Sequence, residues 1–371
     1  MEADKFIKIL ESDFFTGVPD SQLKALCNCL IDKYGIDKNH HIIAANEGNS
    51  VGIAAGYHLA TGKIPVVYMQ NSGEGNVVNP VASLLNKDVY AIPEIFIIGW
   101  RGEPNVHDEP QHFFQGKITL KLLDDIDIDY YVLTPETTEE DLLNQMIKFK
   151  TNLEQGKSVA FVVKKGALTY SKNIVYKNNN TITREEAIRQ IVDSAKNDLI
   201  VSTTGKASRE LFEIREQKKQ SHKYDFLTVG SMGHCSSIAL GIAINKPDTR
   251  VWCIDGDGSI LMHMGAMAVI GQNKPDNFIH IMINNYAHET VGGMPTVAEH
   301  IDFKNIALAC GYKYATIVNN YEELNKELNY AKNNRELSFI EIKCQLGSRI
   351  DLGRPTKSPL ENKNQFMKLF I

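Results

Sequence analysis

The chain lacks most of what would tie it to a membrane, a nucleic acid or an oxidising compartment. Its longest apolar run, "IALGIAI" at 238–244, is broken by a glycine. That is far short of the ~20 residues a membrane-spanning helix needs. The amino-terminal "MEADKFIKIL" has no apolar core of the kind that marks a secretory signal, so a cytoplasmic location is expected. Positive charge is not in excess: 40 Lys and Arg face 45 Asp and Glu, giving a net charge of −5, and no basic footprint for nucleic acid results. The six cysteines include no CxxC pair and no metal-ligand spacing, which argues for reduced thiols and against an iron–sulfur protein. Cys27 and Cys29, two apart in a predicted helix, face different ways. Two phosphate-binding signatures are missing as well. "GYHLATGKI" (56–64) has five residues between its glycines and Ile after Lys63, so it is not a Walker loop, and "GEGN" (73–76) is no dinucleotide fingerprint.

What is present reads as α/β. The chain has 371 residues, 43% of them hydrophobic, enough for two domains with their own cores. Short apolar runs, "IPVVYM" (64–69), "EIFIIG" (94–99), "VAFVV" (159–163), "RVWCI" (250–254) and "NFIHIMI" (277–283), alternate with helix-like stretches. They lack period-two alternation, which suits parallel strands buried on both faces. A polar stretch, "YSKNIVYKNNNTITREEAIRQ", separates two halves. Thr183 is its predicted helix N-cap, with Glu186 three residues on. The expected division is a first domain over 1–170, a linker over 171–182 and a second domain over 183–371.

The halves resemble each other. "EGNSVGIAAGYHLATGKIPVVYMQNSG" (47–73) aligns without a gap on "MGHCSSIALGIAINKPDTRVWCIDGDG" (232–258). Gly48, Ile53, Ala54, Gly56, Val66 and Gly73 fall on Gly233, Ile238, Ala239, Gly241, Val251 and Gly258, an offset of 233 − 48 = 185. The register continues to "IFIIGW" (95–100) on "HIMINN" (280–285). Two related domains from a duplication are expected, each a mostly parallel sheet flanked by helices, with no middle domain.

In "CIDGDGSI" (253–260), Asp257 stands between two glycines where a strand should end. A helix should begin near Ser259. Open parallel sheets bind ligands at the carboxyl ends of their strands, and glycines admit a ligand to the backbone beside a helix start that favours anions. The next strand ends in Asn284 and Asn285. A carboxylate and amide oxygens on neighbouring strand ends suit Mg2+ beside a phosphate. On the other side stands a plain tight turn with a capping Asp.

At this point the chain resembles the thiamin diphosphate-dependent enzymes, which carry GDG, then somewhat under thirty residues, then paired Asn. The resemblance implies paired pyrimidine-binding and diphosphate-binding domains of similar fold, here 1–170 and 183–371. It implies Asp257, Asn285 and the carbonyl of Ala287 as Mg2+ ligands. Gly230, Ser231, Met232, Gly256, Gly258, Ser259 and His288 are the further cofactor-binding residues, with Met232 propping the cofactor. Glu47, in "HIIAANEGNSVGIAAGY", is the carboxylic acid expected to hydrogen-bond a pyrimidine nitrogen. Burial would keep it protonated, as a donor needs; an exposed helix-capping Glu is the alternative.

Within that superfamily the chain is similar to the phosphonopyruvate and sulfopyruvate decarboxylases over nearly its whole length. "FFTGVPDSQLK", "ANEGNSVGIAAGYHLATGK", "MQNSGEGNVVNP", "DEPQH", "VGSMGHCSSIALGIA", "HETVGGMPT" and "DLGRPTKSP" carry the likeness. Tyr286 and Met294 stand where the family leads one to expect Gly and Gln. The implied reaction is decarboxylation of 3-phosphonopyruvate to phosphonoacetaldehyde, in phosphonate biosynthesis. Alternatives are sulfopyruvate decarboxylation, a carboligating transferase, an oxidoreductase subunit and a non-catalytic cofactor-binding regulator. Asp20, His112 and His288 are candidate acid/base groups, Asp20 being equally a helix N-cap. Asp20, Ser72 and His112 are also expected to touch substrate. Arg349, Arg354 and Lys357 lie in the Gly- and Pro-rich "GSRIDLGRPTKSP", a candidate lid. Arg354 is the preferred reader of the distal anion. The family's site draws on two copies of the chain, so a homo-oligomer is implied.

Overall fold

The apolar runs become the strands. In the computed structural model, which describes residues 1–289 and 293–371, the chain forms two compact units, 1–175 with 293–295, and 176–289 with 296–371. The division falls inside the stretch expected as a linker. Part of the "HETVGGMPT" motif, residues 290–292, lies outside the described residues.

The first unit carries β1 (Phe15–Gly17), β2 (His41–Ile43), β3 (Val66–Gln70), β4 (Ile95–Gly99), β5 (Asp129–Leu133) and β6 (Val159–Val163). They form one parallel sheet in the order β2-β1-β3-β4-β6-β5. The next strands are β7 (Leu199–Ser202), β8 (Asp225–Leu227), β9 (Val251–Gly256) and β10 (Phe278–Asn284). After the two-residue β11 (Ala287–His288) and β12 (Met294–Pro295) come β13 (Tyr314–Val318) and β14 (Ser338–Lys343). The second unit's sheet has the order β13-β14-β10-β9-β7-β8, again parallel.

Read from its other edge, the second order is the first: β8-β7-β9-β10-β14-β13. The offset seen in the sequence is kept by two of the six strand pairs. β3 begins 185 residues before β9 (251 − 66), and β5 begins 185 before β13 (314 − 129). Elsewhere it slips: the starts differ by 184 for β1 and β7 (199 − 15) and for β2 and β8 (225 − 41), by 183 for β4 and β10 (278 − 95) and by 179 for β6 and β14 (338 − 159). The gapless register therefore does not reach β4 and β10, where Ile95 pairs with Val66 and Phe278 with Val251. Each sheet is covered on both faces: every residue of β6 and β10 is buried. Each fully buried Val, Ile or Phe contributes roughly 1.5–3 kcal/mol, so unbroken apolar runs replace alternation.

Local signals mostly appear where the sequence places them. Thr183 caps the helix Arg184–Ala195 by accepting from the Glu186 N–H. The helix after the GDG turn starts earlier than expected, at Asp257 rather than near Ser259. Asp20 does not cap a helix. Its carboxylate accepts from the N–H of Gln22, two residues on, and the following helix begins only at Lys24. Cys235 and Cys253 bring their sulfurs to 3.5 Å, and the Cys235 thiol points at the Val201 and Ile254 carbonyls. Burial pushes both thiols up, so they pack as protonated core groups.

One buried acid makes the first unit's stability depend on pH. Glu74 begins the helix Glu74–Pro80 with no exposed surface. One carboxyl oxygen accepts from Gln115 at 3.2 Å and the other has no partner. Burial pushes its pKa up to about 8, against the weaker pull of Gln115 and Thr119. The folded chain thus holds this proton more tightly than the unfolded one. Its contribution is full below the usual carboxyl pKa of about 4.5 and is lost as pH rises through about 8. Glu74→Gln, which cannot ionise, should gain on the wild type between pH 5 and 8. The gain should be about 3 kcal/mol at pH 7, read from urea unfolding at each pH. A constant difference across that range would refute the assignment.

Candidate active site

In the first unit, polar residues gather where β1, β3 and β4 end. The chain leaves β1 through Val18 and Pro19 to Asp20, which has no exposed surface. Gln70, the last residue of β3, donates to Asp20 at 2.5 Å and accepts from the Ser72 hydroxyl at 2.7 Å. Asp20 and Ser72 are thus brought into one line by a residue that sequence reasoning did not single out. Burial raises the pKa of Asp20, with Gln70, Arg101 and backbone N–H groups pulling the other way. Past β4, Arg101 forms a forked pair with Asp108, at 2.8 and 2.5 Å, and donates to Ser21. His112 follows in the first turn of the helix Pro110–Asp125. Burial, helped by Arg101, lowers its pKa to about 4, so it is neutral at pH 7. Its Nδ1 is buried without a hydrogen-bond partner. Arg101 was also missed; its only signal is a basic residue directly after an apolar strand.

Glu47 opens the helix Glu47–Thr61, but Asn46 is the cap, accepting from the Asn49 N–H. The Glu47 side chain instead turns inward and is 5% exposed. Asn76 donates to its Oε2 at 2.7 Å. Burial raises its pKa against that bond and the helix start. A Cβ on Gly73 would lie 2.5 Å from Glu47 Oε1, so the carboxyl occupies the room a larger residue would take. This is a buried acid whose pKa is raised, not an exposed capping Glu.

In the second unit the two asparagines separate. Asn284 Nδ2 donates to Glu341 on β14 at 2.7 Å. Asn285 lies one residue on, past the pleat, which turns side chains to alternate faces. Its Oδ1 accepts from the Ala287 N–H and its Nδ2 donates to Glu289. Gly256 pairs with Ile283 across β9 and β10, so Asp257 and the asparagines leave adjacent strands together. Asp257 is 4% exposed and accepts from the Thr296 hydroxyl at 2.7 Å. Burial pushes its pKa up to about 7. A cation there would offset that cost. Asp257, the Asn285 amide and the Ala287 carbonyl supply hard oxygen donors only, a set that suits Mg2+.

The remaining candidates in this unit gather at the same strand end. A Cβ on Gly258 would lie 3.0 Å from the His288 ring and 3.2 Å from the Met232 methyl. Gly230, Ser231 and Gly233 all have positive φ, and this turn is tied down at both ends. Gly230 N–H donates to Thr204, and Gly233 N–H to the Ser259 hydroxyl. Burial lowers the His288 pKa to about 4. Arg354 is exposed. Its segment is pinned to the helix Lys206–Gln217, where Arg209 donates to the Leu352 and Gly353 carbonyls and Glu213 takes the Gly353 N–H. Arg349 is paired with Glu185, Glu213 and Asp351.

The thiamine pyrophosphate enzyme N-terminal TPP binding domain matches residues 3–126, and the C-terminal TPP binding domain of the same enzymes matches residues 203–342. Phosphonopyruvate decarboxylase of Streptomyces viridochromogenes is 31% identical over 367 residues, covering 94% of this chain and 89% of that protein. The chain belongs to this family of thiamin diphosphate enzymes. Sulfopyruvate decarboxylase of Methanosarcina acetivorans is 28% identical, covering 93% of this chain and 92% of that one. In Methanococcus maripaludis, sulfopyruvate decarboxylase subunits beta and alpha are separate chains. They are 31% and 35% identical and cover 50% and 39% of this chain, and 96% and 84% of their own lengths.

The enzyme's residues fit both groups: a buried acid beside a glycine cradle in the first unit, and an oxygen donor set at a strand end in the second. Asp257→Ala should therefore weaken Mg2+-dependent binding of thiamin diphosphate at least roughly a hundredfold by calorimetry. The far-ultraviolet circular dichroism should be unchanged. Binding of wild-type strength with normal Mg2+ dependence would overturn the ligand assignment.

Proposed function

We propose that the enzyme decarboxylates 3-phosphonopyruvate to phosphonoacetaldehyde and carbon dioxide, a step of phosphonate biosynthesis. The observation that carries this reading is the pair of buried carboxyl groups on related sheets. Glu47 has a single amide donor, and Asp257 stands among oxygen ligands. When bound, thiamin diphosphate supplies the electron sink for the departing carboxylate's bonding pair, and Mg2+ neutralises its diphosphate.

The chain's own residues have distinct tasks. Glu47, whose protonated form burial favours, would donate a hydrogen bond to the cofactor's pyrimidine nitrogen. Asp257, Asn285 Oδ1 and the Ala287 carbonyl would hold the metal, and Met232 would pack against the cofactor. Gly230, Ser231, Gly256, Gly258 and Ser259 bring backbone and hydroxyl groups to it. Asp20, Ser72 and His112 meet the substrate. His112 and His288, neutral at pH 7, are the groups able to take or give a proton there. The whole-length likeness to phosphonopyruvate decarboxylases favours that substrate. The similar coverage of the Methanosarcina relative makes sulfopyruvate the second reading. Two domain matches with none between them disfavour a carboligating enzyme. We also propose a homo-oligomer in which each site draws its two halves from different copies.

The substrate is tested by kcat/KM on phosphonopyruvate, sulfopyruvate and pyruvate. Phosphonopyruvate should lead, and pyruvate should trail it by about a hundredfold, the worth of one or two charged hydrogen bonds. A lead for sulfopyruvate would reassign the enzyme. If Arg354 reads the distal anion, Arg354→Ala should raise KM for phosphonopyruvate roughly ten- to a hundredfold and leave pyruvate unaffected. Equal effects on both would remove it from that role.

Glu47→Gln should still bind cofactor while slowing deuterium exchange at the thiazolium carbon by roughly 10²–10⁴. Unchanged exchange would sink the role. Mixed Glu47→Gln and Asp257→Ala chains should regain part of the activity neither has alone. No recovery after proven subunit exchange would place each site within one copy.

A further inference from the structure

The side-chain amide of Asn285 can sit two ways round, and only one of them turns oxygen to a metal. An amide flipped by half a turn has nearly the same shape. Whatever fixes the amide therefore decides whether the site has a ligand or a repelling N–H at that corner.

Two partners hold it. The Ala287 N–H donates to Oδ1 at 3.1 Å, and Nδ2 donates to Glu289 Oε2 at 2.8 Å. Flipping would set oxygen against carboxylate and N–H against N–H. Glu289 is itself held firmly. Arg184 donates to its Oε2 at 2.6 Å and Lys206 to its Oε1 at 2.7 Å. Arg184, 6% exposed, is forked onto Glu210 at 2.7 and 2.8 Å. Arg184 opens the helix Arg184–Ala195, and Lys206 and Glu210 lie on the helix Lys206–Gln217. With two cations against it, Glu289 presents acceptor oxygens only. On the other side, Asn178 clamps the Asn285 backbone carbonyl at 3.1 Å.

We infer that Glu289 is a positioning residue that orients the Asn285 amide for metal binding, through the chain Glu210–Arg184–Glu289–Asn285. This rests on the reading of Asn285 as a Mg2+ ligand. Groups behind a metal ligand set its orientation and basicity, and losing one commonly costs about ten- to a hundredfold in metal affinity.

The test is a swap of acid and amide, read by Mn2+ binding. Free Mn2+ is counted from its paramagnetic resonance signal, with thiamin diphosphate present and the full chain used. Glu289→Gln should weaken Mn2+ roughly ten- to a hundredfold, because Gln can offer N–H to Asn285 and no longer forces one orientation. Asn285→Asp should also weaken it, since two carboxylates then face each other. The double variant Glu289→Gln with Asn285→Asp should bind within a few fold of wild type. The carboxylate it carries at position 285 presents oxygen whichever way it turns, and the amide it carries at position 289 can donate to that oxygen.

A merely structural Glu289 predicts instead that the two losses add. Additive losses, or Glu289→Gln binding like wild type, overturn the inference. If Glu289→Gln alone does not fold, the swap is read against Asn285→Asp, and a double variant no tighter than that single one overturns it too. Should the wild type bind no Mn2+ with thiamin diphosphate, the ligand reading itself fails, which separates that failure from this one.

Discussion

Two carboxyl groups taken out of water, Glu47 and Asp257, are what the rest of this molecule is arranged around. A buried carboxyl has two ways out of the cost of ionisation: keep the proton or acquire a cation. Glu47 meets one neutral amide donor and a glycine cradle, with no cation beside it among the described residues. Burial there favours the protonated form. Asp257 sits at a strand end with amide and carbonyl oxygens on the adjoining turn. Those oxygens cannot neutralise it, but together with it they are a donor set that suits a cation. One chemical group at similar burial thus stands in two different settings, set by its neighbours.

The duplicated sheet makes this division of labour possible. Both units order their strands in the same way, and the 185-residue register seen in the sequence still relates β3 to β9 and β5 to β13. That was legible in the sequence because the repeat is gapless where strands and helices are tightly packed, so Gly48 and Gly233 or Val66 and Val251 had no room to drift. The nearness of Asp257 to Asn285 was legible for a related reason. Asp257 and Asn285 leave adjacent strands, and strand-end neighbours are set by topology, which apolar runs reveal.

Other parts of the site were not legible. Gln70 reaches Asp20 across 50 residues of chain, and Glu289 meets Arg184 across 105. Nothing local in the sequence marks such a pairing, since any Gln or Glu in a turn looks solvated. The Asp20 contact is instructive. Its position after a strand fitted a helix cap as well as a site residue. The structure separates the two because the next helix starts only at Lys24, leaving the carboxylate to bind Gln22 and Gln70. From spacing alone Asn284 and Asn285 were legible only as a pair, and the family resemblance is what set Asn285 apart; in the structure β14 supplies Glu341 to Asn284.

Tyr286 shows how a departure from the family pattern is accommodated. It takes φ +63°, the left-handed region that favours glycine and costs a side-chain-bearing residue about 1 kcal/mol or more. Glycine is what the family resemblance leads one to expect there. Three contacts offset the cost. Tyr286 N–H donates to Asn284 Oδ1, the Tyr286 carbonyl accepts from the Thr296 N–H at 2.9 Å, and Lys343 stands 4.9 Å over the ring. Lys343 is paired with Glu341, the residue that also holds Asn284. Thr296 is the residue whose hydroxyl holds Asp257. The tyrosine therefore does not loosen the loop between Asn285 and Ala287, the residues proposed to hold the metal. Its ring adds a side-chain brace that a glycine cannot make, against Lys343, whose partner Glu341 also holds Asn284.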